Sequence, residues 1–297
     1  MPPAAPIHVF RHEAMATTFE LRLVTADAPY AAQAAHECFA LLDRLHALLS
    51  RYDEGSEISA LSRLEPGASL RLSSEVGACL RIAFEAHTLT GGAFDPTLGD
   101  RLDAVRGRKP SPAAAASSAR GRLELDPVTC TARVLHAAVT LDLGAIGKGF
   151  ALDRMAATLV EWDLPAALLI GGEGSSVLAL DGPAPDTGWN IGLGEGASRR
   201  LVSLRHHALG ASGFAVQGAH ILDPLTGAPA AARRAWALAP SAAVADAVST
   251  AAMVLPPDEL AELCAGSPGL GVLIAPPAPG SPLNAFGDIP FSIPPQP

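Results

Sequence analysis

Leu141-Asp142-Leu143-Gly144-Ala145-Ile146-Gly147-Lys148-Gly149-Phe150-Ala151-Leu152-Asp153 is the stretch on which the reading of this chain turns. A β-like run, Ala138-Val139-Thr140-Leu141, leads in, and a helical run from Ala151 to Leu159 leads out. A glycine-rich connection from strand to helix lets backbone N–H groups approach phosphate oxygens closely. The 21 basic residues of the chain include only two lysines, Lys109 and Lys148, and one of them stands in this turn. The pattern matches neither G-x4-G-K-[S/T] nor G-x-G-x-x-G. A tight strand-to-helix connection also needs glycine on steric grounds alone, so a phosphate cradle and a plain turn are both open at this point.

Outward from this segment, helices and strands mix without a regular βαβ period, which predicts an α+β fold of mixed sheets with flanking helices. Phe19–Val24 alternates as a strand does. Ala31–Ser50 and Ser74–Leu89 carry apolar residues at helical spacing, the second ended by Gly91-Gly92. Ser50–Glu57 reads as a polar loop. Two short strands are expected within Leu123–Leu143, joined by a turn near Asp126-Pro127, and a further strand runs from Ala166 to Ile170. Trp189–Leu193, Leu201–Leu204 and Gly271–Ile274 also read as strands. Ser241–Leu255 reads as a helix stopped by Pro256-Pro257. Residues 1–275 are expected to form a single domain with a low-complexity loop near 107–121, and 276–297 a proline-rich, extended tail.

A chain of 297 residues, 49% hydrophobic and 17% charged, can bury a sizeable core. Its formal net charge of -9 argues against a general nucleic-acid binder. Cys38, Cys79, Cys130 and Cys264 are widely spaced with no C-x-x-C, so they read as buried small hydrophobes rather than a zinc site or a disulfide framework. No signal peptide, lipobox or apolar run long enough to span a bilayer is visible, and the chain as written is expected to be cytoplasmic, or periplasmic if a native N-terminus has been trimmed.

Other segments carry chemistry-bearing residues. Asp246 and Thr250 in Ala245–Ala251 lie four apart on one face of an otherwise apolar helix. Once buried they need a partner: a hard cation such as Mg²⁺ would serve both oxygens, as would a threonine bonding back into its own helix beside a solvated aspartate. Thr90–Gly99 (TGGAFDPTLG) and His220–Gly227 (HILDPLTG) end in Asp-Pro turns. His220 suits a general base or a structural strand-start residue equally. Ile170–Gly174 (IGGEG) can hold a ligand edge or be a plain turn.

The order of these motifs carries more than any one of them. Met15-Ala16-Thr17, Leu49-Ser50-Arg51-Tyr52-Asp53 with Ser56–Ser59, GGAFDPTLG, DLGAIGKGFALD, IGGEG, Ala211-Ser212-Gly213, HILDPLTG and ADAVSTA together resemble the ApbE family of FAD:protein FMN transferases over roughly Met15 to Leu255. The resemblance implies an ApbE-type flavin transferase fold and Mg²⁺-dependent transfer of FMN from FAD to a threonine of an acceptor flavoprotein, with release of AMP. It places the metal ligands on Asp246, Thr250 and the Gly147 carbonyl. It places flavin contacts on Met15, Tyr52, Ala93, Phe94, Asp95, Gly144, Phe150, Leu222 and Ser249. Lys148 is expected to neutralise phosphate charge, His220 to assist deprotonation of the acceptor threonine, and Asp142 to brace the turn. The chain departs from the family at Ala211, where threonine is usual, at Ala16, where glycine is usual, and in having only six residues between Gly213 and His220. The first and last departures fall on the acceptor side, so the alternatives are Mg²⁺-dependent hydrolysis of FAD to FMN and AMP, and a non-catalytic FAD-binding protein.

Overall fold

The computed structural model describes residues 5–105, 107, 122–135, 139–194, 199–213, 222–224, 226–228, 230, 233–275 and 282–290. An eight-stranded antiparallel sheet dominates it. Its order is β1 (Ile7–Ala14), β2 (Thr17–Val24), β6 (Ala167–Gly171), β7 (Ser176–Ala179), β10 (His207–Ser212), β11 (Arg234–Ala239), β12 (Gly271–Ala275) and β13 (Asn284–Gly287). A three-stranded sheet is made by β3 (Ser69–Arg71), β4 (Leu123–Asp126) and β5 (Thr131–Val134), and a hairpin by β8 (Trp189–Leu193) and β9 (Arg200–Leu204). The fold is α+β, as the mixed pattern predicts.

Helices cover one face of the large sheet. α1 (Ala28–Leu49) starts where Asp27 accepts from the Tyr30 N–H, and it buries Cys38, Leu42, Leu45 and neighbours on one stripe. α2 (Glu57–Ser62) opens at Ser56, which accepts from the Ser59 N–H. α3 (Ser74–Leu89) is capped by Ser73 and matches its expected bounds. After α4 (Gly99–Val105) come α5 (Gly147–Glu161) and α6 (Ala242–Ala251), with Ser241 as N-cap of the latter. The core under these helices includes Phe19, Leu21, Leu23, Phe150 and Leu152. On the opposite face the β8–β9 hairpin closes over Leu168, Val177, Leu209, Trp236 and Leu273. The central strands are therefore covered on both sides, and β7 and β11 read as nearly continuous apolar runs.

Some elements depart from expectation. Gly147 and Gly149 lie inside the first turn of α5 rather than in a loop before it. Of the run expected to lead in, Thr140 makes only an isolated parallel bridge to Leu98, and 136–138 lie outside the described residues. The helix expected to run to Leu255 and stop at Pro256-Pro257 ends earlier, at Ala251 with Ala252 as C-cap, and Pro256-Pro257 instead start α7 (Pro257–Ala265), because proline suits the first position of a helix. Asn284–Gly287, within the segment expected to be a tail, pairs with β12 as an edge strand. Residues 108–121 lie outside the described ones. Among the described residues no helix is long and apolar enough to cross a membrane. Cys38, Cys79 and Cys264 are buried as expected. Cys130 is only half-buried because it sits at the turn between β4 and β5 with φ 50°.

Candidate functional site

The first turn of a helix leaves backbone donors without partners inside it. In α5 no side chain caps the N-terminus at Ile146. The Gly149 N–H instead donates to Asp246 Oδ2, at 2.8 Å, from a residue 97 positions later on α6. α6 is served in return. Asp153, one turn further along α5, accepts from the Ser241 hydroxyl at 2.7 Å and from the Ala242 and Ala243 N–H groups at 2.7 and 3.0 Å. Each helix thus supplies the carboxylate that satisfies the other's N-terminus, where the macrodipole favours negative charge. Gly149 makes the crossing possible, since a Cβ there would stand 2.6 Å from the Ala243 nitrogen and nearer still to the Ala242 carbonyl.

Asp246 is only 5% exposed. Burial pushes its carboxyl up to about 6, while the Lys148 charge, the Ser176 hydroxyl and the Gly149 N–H pull the other way. The Ser176 hydroxyl lies 2.7 Å from Oδ1 and 2.8 Å from Oδ2. Lys148 runs beneath the turn Gly172–Gly174 between β6 and β7, where a Cβ on Gly172 would stand 2.9 Å from the lysine Cε. Gly172, Glu173 and Gly174 all have positive φ, so the IGGEG motif is a tight left-handed turn lying over the lysine stem.

The next turn of α6 carries the expected hydroxyls. Ser249 and Thr250 both donate to the Asp246 carbonyl, at 2.9 and 3.2 Å. Ser212, at the end of β10, places its hydroxyl 2.9 Å from Ser249 Oγ and 3.2 Å from Thr250 Oγ1. Thr250 therefore bonds back into its helix as its simpler reading expects, but the aspartate beside it is buried rather than solvated, and the hydroxyl still keeps lone pairs for another partner.

A second set of contacts extends the site. Asp142 accepts from the Gly144 N–H at 2.8 Å and from Arg51 Nη1 at 2.6 Å, bracing the turn as expected. Arg51 also reaches Asp103 at 2.5 Å and the Gly99 carbonyl at 3.2 Å. Tyr52 is 62% exposed, with its ring 5.4 Å from the Arg51 guanidinium. The Asp142 N–H donates to the Pro96 carbonyl at 2.8 Å, which seats the loop Ala93–Leu98 against the glycine-rich segment. In that loop Ala93 and Phe94 are buried, and Asp95 accepts from the Thr97 N–H and hydroxyl at 2.8 and 2.6 Å. Arg101 donates to the Pro224 carbonyl at 3.3 Å, bringing the turn after the buried Leu222 to the same edge. Met15 forms the β1–β2 turn with Ala16, at φ 51° and 57°. This turn lies at the same end of the sheet as Gly172–Gly174, because Phe19 pairs with Gly171.

The structure thus joins Lys148, Asp246, Ser249 and Thr250 directly, sets Gly147 two residues before Gly149 in the same first turn of α5, and ties Gly144, Asp95, Tyr52 and Leu222 to them through hydrogen-bonded loops. Phe150 is buried at 2% in the core, so any contact it makes to a ligand runs through its backbone. His220 lies outside the described residues. Ser176 and Arg51 were not assigned site roles from sequence. A lone serine heading the apolar run Ser176-Val177-Leu178-Ala179 is the only local signal for the first.

Among the described residues no group of three or more His, Cys, Asp or Glu that could hold a metal occurs. The donors at hand are one carboxylate, one hydroxyl and one backbone carbonyl, from Asp246, Thr250 and Gly147. All are hard oxygens, and the carboxylate is buried. That set fits a Mg²⁺ ion completing its shell with water and a bound phosphate.

The sequence profile of the ApbE family matches residues 15–274. A FAD:protein FMN transferase of Treponema pallidum is 29% identical over 276 residues, covering 81% of this chain and 76% of its own length. The flavinyl transferase ApbE of Pseudomonas stutzeri, in its apo form, shares the fold with a TM-score of 0.80 at 22% identity, over 95% of this chain and 94% of that one. The ApbE protein of Thermotoga maritima has a TM-score of 0.77 at 27% identity, over 95% and 97%.

Proposed function

The chain belongs to the ApbE family, and from that premise we propose that it is a FAD:protein FMN transferase that uses Mg²⁺ and a threonine acceptor. The acceptor hydroxyl oxygen forms a bond to the FMN-side phosphorus of FAD, the pyrophosphate P–O bond breaks, the threonine proton is lost, and AMP departs with the bond electrons. Mg²⁺ bound by Asp246, Thr250 and the Gly147 carbonyl would supply charge neutralisation at the pyrophosphate. Lys148, held beneath the Gly172 turn, adds a fixed positive charge beside Asp246 where phosphate charge builds. His220 is the proposed proton acceptor. The loops carrying Tyr52, Ala93–Asp95, Gly144 and Leu222 form the flavin-binding edge, acting largely through backbone atoms.

The observation that carries this reading is the buried Asp246 carboxylate at the N-terminus of α5, with Lys148 beside it. The test supplies FAD, Mg²⁺ and an acceptor protein bearing an Asp-Gly/Ser-x-x-Thr segment. Covalent fluorescent flavin on the acceptor, with one AMP per flavin, is expected, and Asp246→Ala should abolish both. AMP and free FMN with no labelled acceptor would identify a hydrolase instead. Bound FAD without AMP would identify a flavin-binding protein.

A further inference from the structure

Ser176 is fully buried and stands on β7 opposite Gly210 of β10 and Gly171 of β6. α6 rests directly on this point of the sheet. A Cβ on Gly210 would stand 2.6 Å from the Asp246 backbone nitrogen and closer still to the Ala245 carbonyl. That close approach brings the Asp246 carboxylate within 2.7 and 2.8 Å of the Ser176 hydroxyl. A hydroxyl has one proton and serves one oxygen at a time. The Gly149 N–H already holds Oδ2 at 2.8 Å. The Ser176 hydroxyl, nearer to Oδ1, serves the other oxygen, so two donors, one from α5 and one from the sheet, fix the carboxylate plane.

We propose that Ser176 is a positioning residue whose hydroxyl holds the Asp246 carboxylate in the orientation that a divalent cation requires. This rests on the reading of Asp246 as a cation ligand. Groups that hold a metal ligand in place set metal affinity without touching the metal. A hydroxyl that only satisfied a buried carboxylate would change stability and leave the cation affinity of the folded protein unaltered.

The experiment titrates Mn²⁺ into the full chain with saturating FAD and no acceptor, following loss of the free Mn²⁺ paramagnetic resonance signal, with folding checked by circular dichroism. Ser176→Ala should weaken Mn²⁺ binding about 10- to 100-fold. Ser176→Cys, close in volume but a weak donor, should fall between Ala and wild type, and it carries the test if the Ala variant does not fold. Ser176 variants that bind Mn²⁺ as wild type does, while Asp246→Ala loses binding, overturn the positioning role and leave the metal reading standing. Equal binding by wild type and Asp246→Ala, or none by wild type, overturns both.

Discussion

Gly147 and Gly149 stand two residues apart, yet the structure assigns them opposite sensitivities. A Cβ on Gly149 would lie 2.6 Å from the Ala243 nitrogen and nearer still to the Ala242 carbonyl, against the 3.4 Å at which ordinary contact begins, so α5 and α6 must separate by about 1 Å or more. Overpacking of this kind costs about 1–3 kcal/mol. The same separation stretches the 2.8 Å bond from the Gly149 N–H to Asp246 beyond useful length, and losing a bond to a charged group costs about 1.5–3 kcal/mol. Removing a helical glycine returns about 1 kcal/mol. Gly149→Ala should therefore lose about 1.5–5 kcal/mol of stability. At Gly147 an added Cβ meets nothing within 4 Å, and its carbonyl survives the substitution. Gly147→Ala should be neutral or stabilising by up to about 1 kcal/mol and should keep its activity. Urea unfolding followed by the fluorescence of the three tryptophans compares them. A Gly149→Ala midpoint equal to wild type, or equal losses at both positions, would refute the account of how the helices cross.

Asp153→Ala removes three donors' shared acceptor at the start of α6 and should cost about 2–3 kcal/mol, read from the thermal midpoint and its enthalpy. Lys148→Met should lower FMN transfer by about 10²- to 10³-fold, with the fold intact by circular dichroism; full activity would remove the lysine from the chemistry. Ala16 holds a left-handed φ of 57°, so Ala16→Gly should gain about 0.5–1 kcal/mol in urea unfolding, and a loss would count against the strain. Burial pushes the Cys38 and Cys79 thiols up to about 12 from 9.0. They should resist a thiol reagent at pH 8 until the chain unfolds, whereas the half-buried Cys130 should react first. Because these pKa values are raised in the folded state, their contribution to stability is intact below pH 9 and is lost as pH rises from 9 toward 12.

Local patterns carried part of this structure. The stripe in α1 and the alternation of β2 each advertise one buried face, and both elements lie within a few residues of their expected bounds. β7, β10 and β11 do not, because covering on both sides erases alternation and leaves runs such as Trp236-Ala237-Leu238-Ala239 that suit a strand or a helix alike. The glycine-rich segment was visible as a place where something approaches closely. That the approaching group is a helix with its own aspartate came from the order of motifs in the family, not from the segment. Ser176 and Gly210 escaped because their importance depends on what lies across the sheet from them, a relation with no trace in sequence spacing. Arg51 was visible as part of a motif, but its two carboxylate partners are 52 and 91 residues away.

The exchange of carboxylates between α5 and α6 also orders events during synthesis. When the chain has grown only through β10, the N-terminus of α5 exists but Asp246 has not been made, and Asp153 has no helix to cap. The pairing of the two helix ends cannot form on such a nascent chain, however well its glycine-rich segment is built. The cap on α5 is thereby deferred until the C-terminal third has emerged and docked, and a chain cut short before residue 246 is left without the carboxylate that serves the Gly149 N–H.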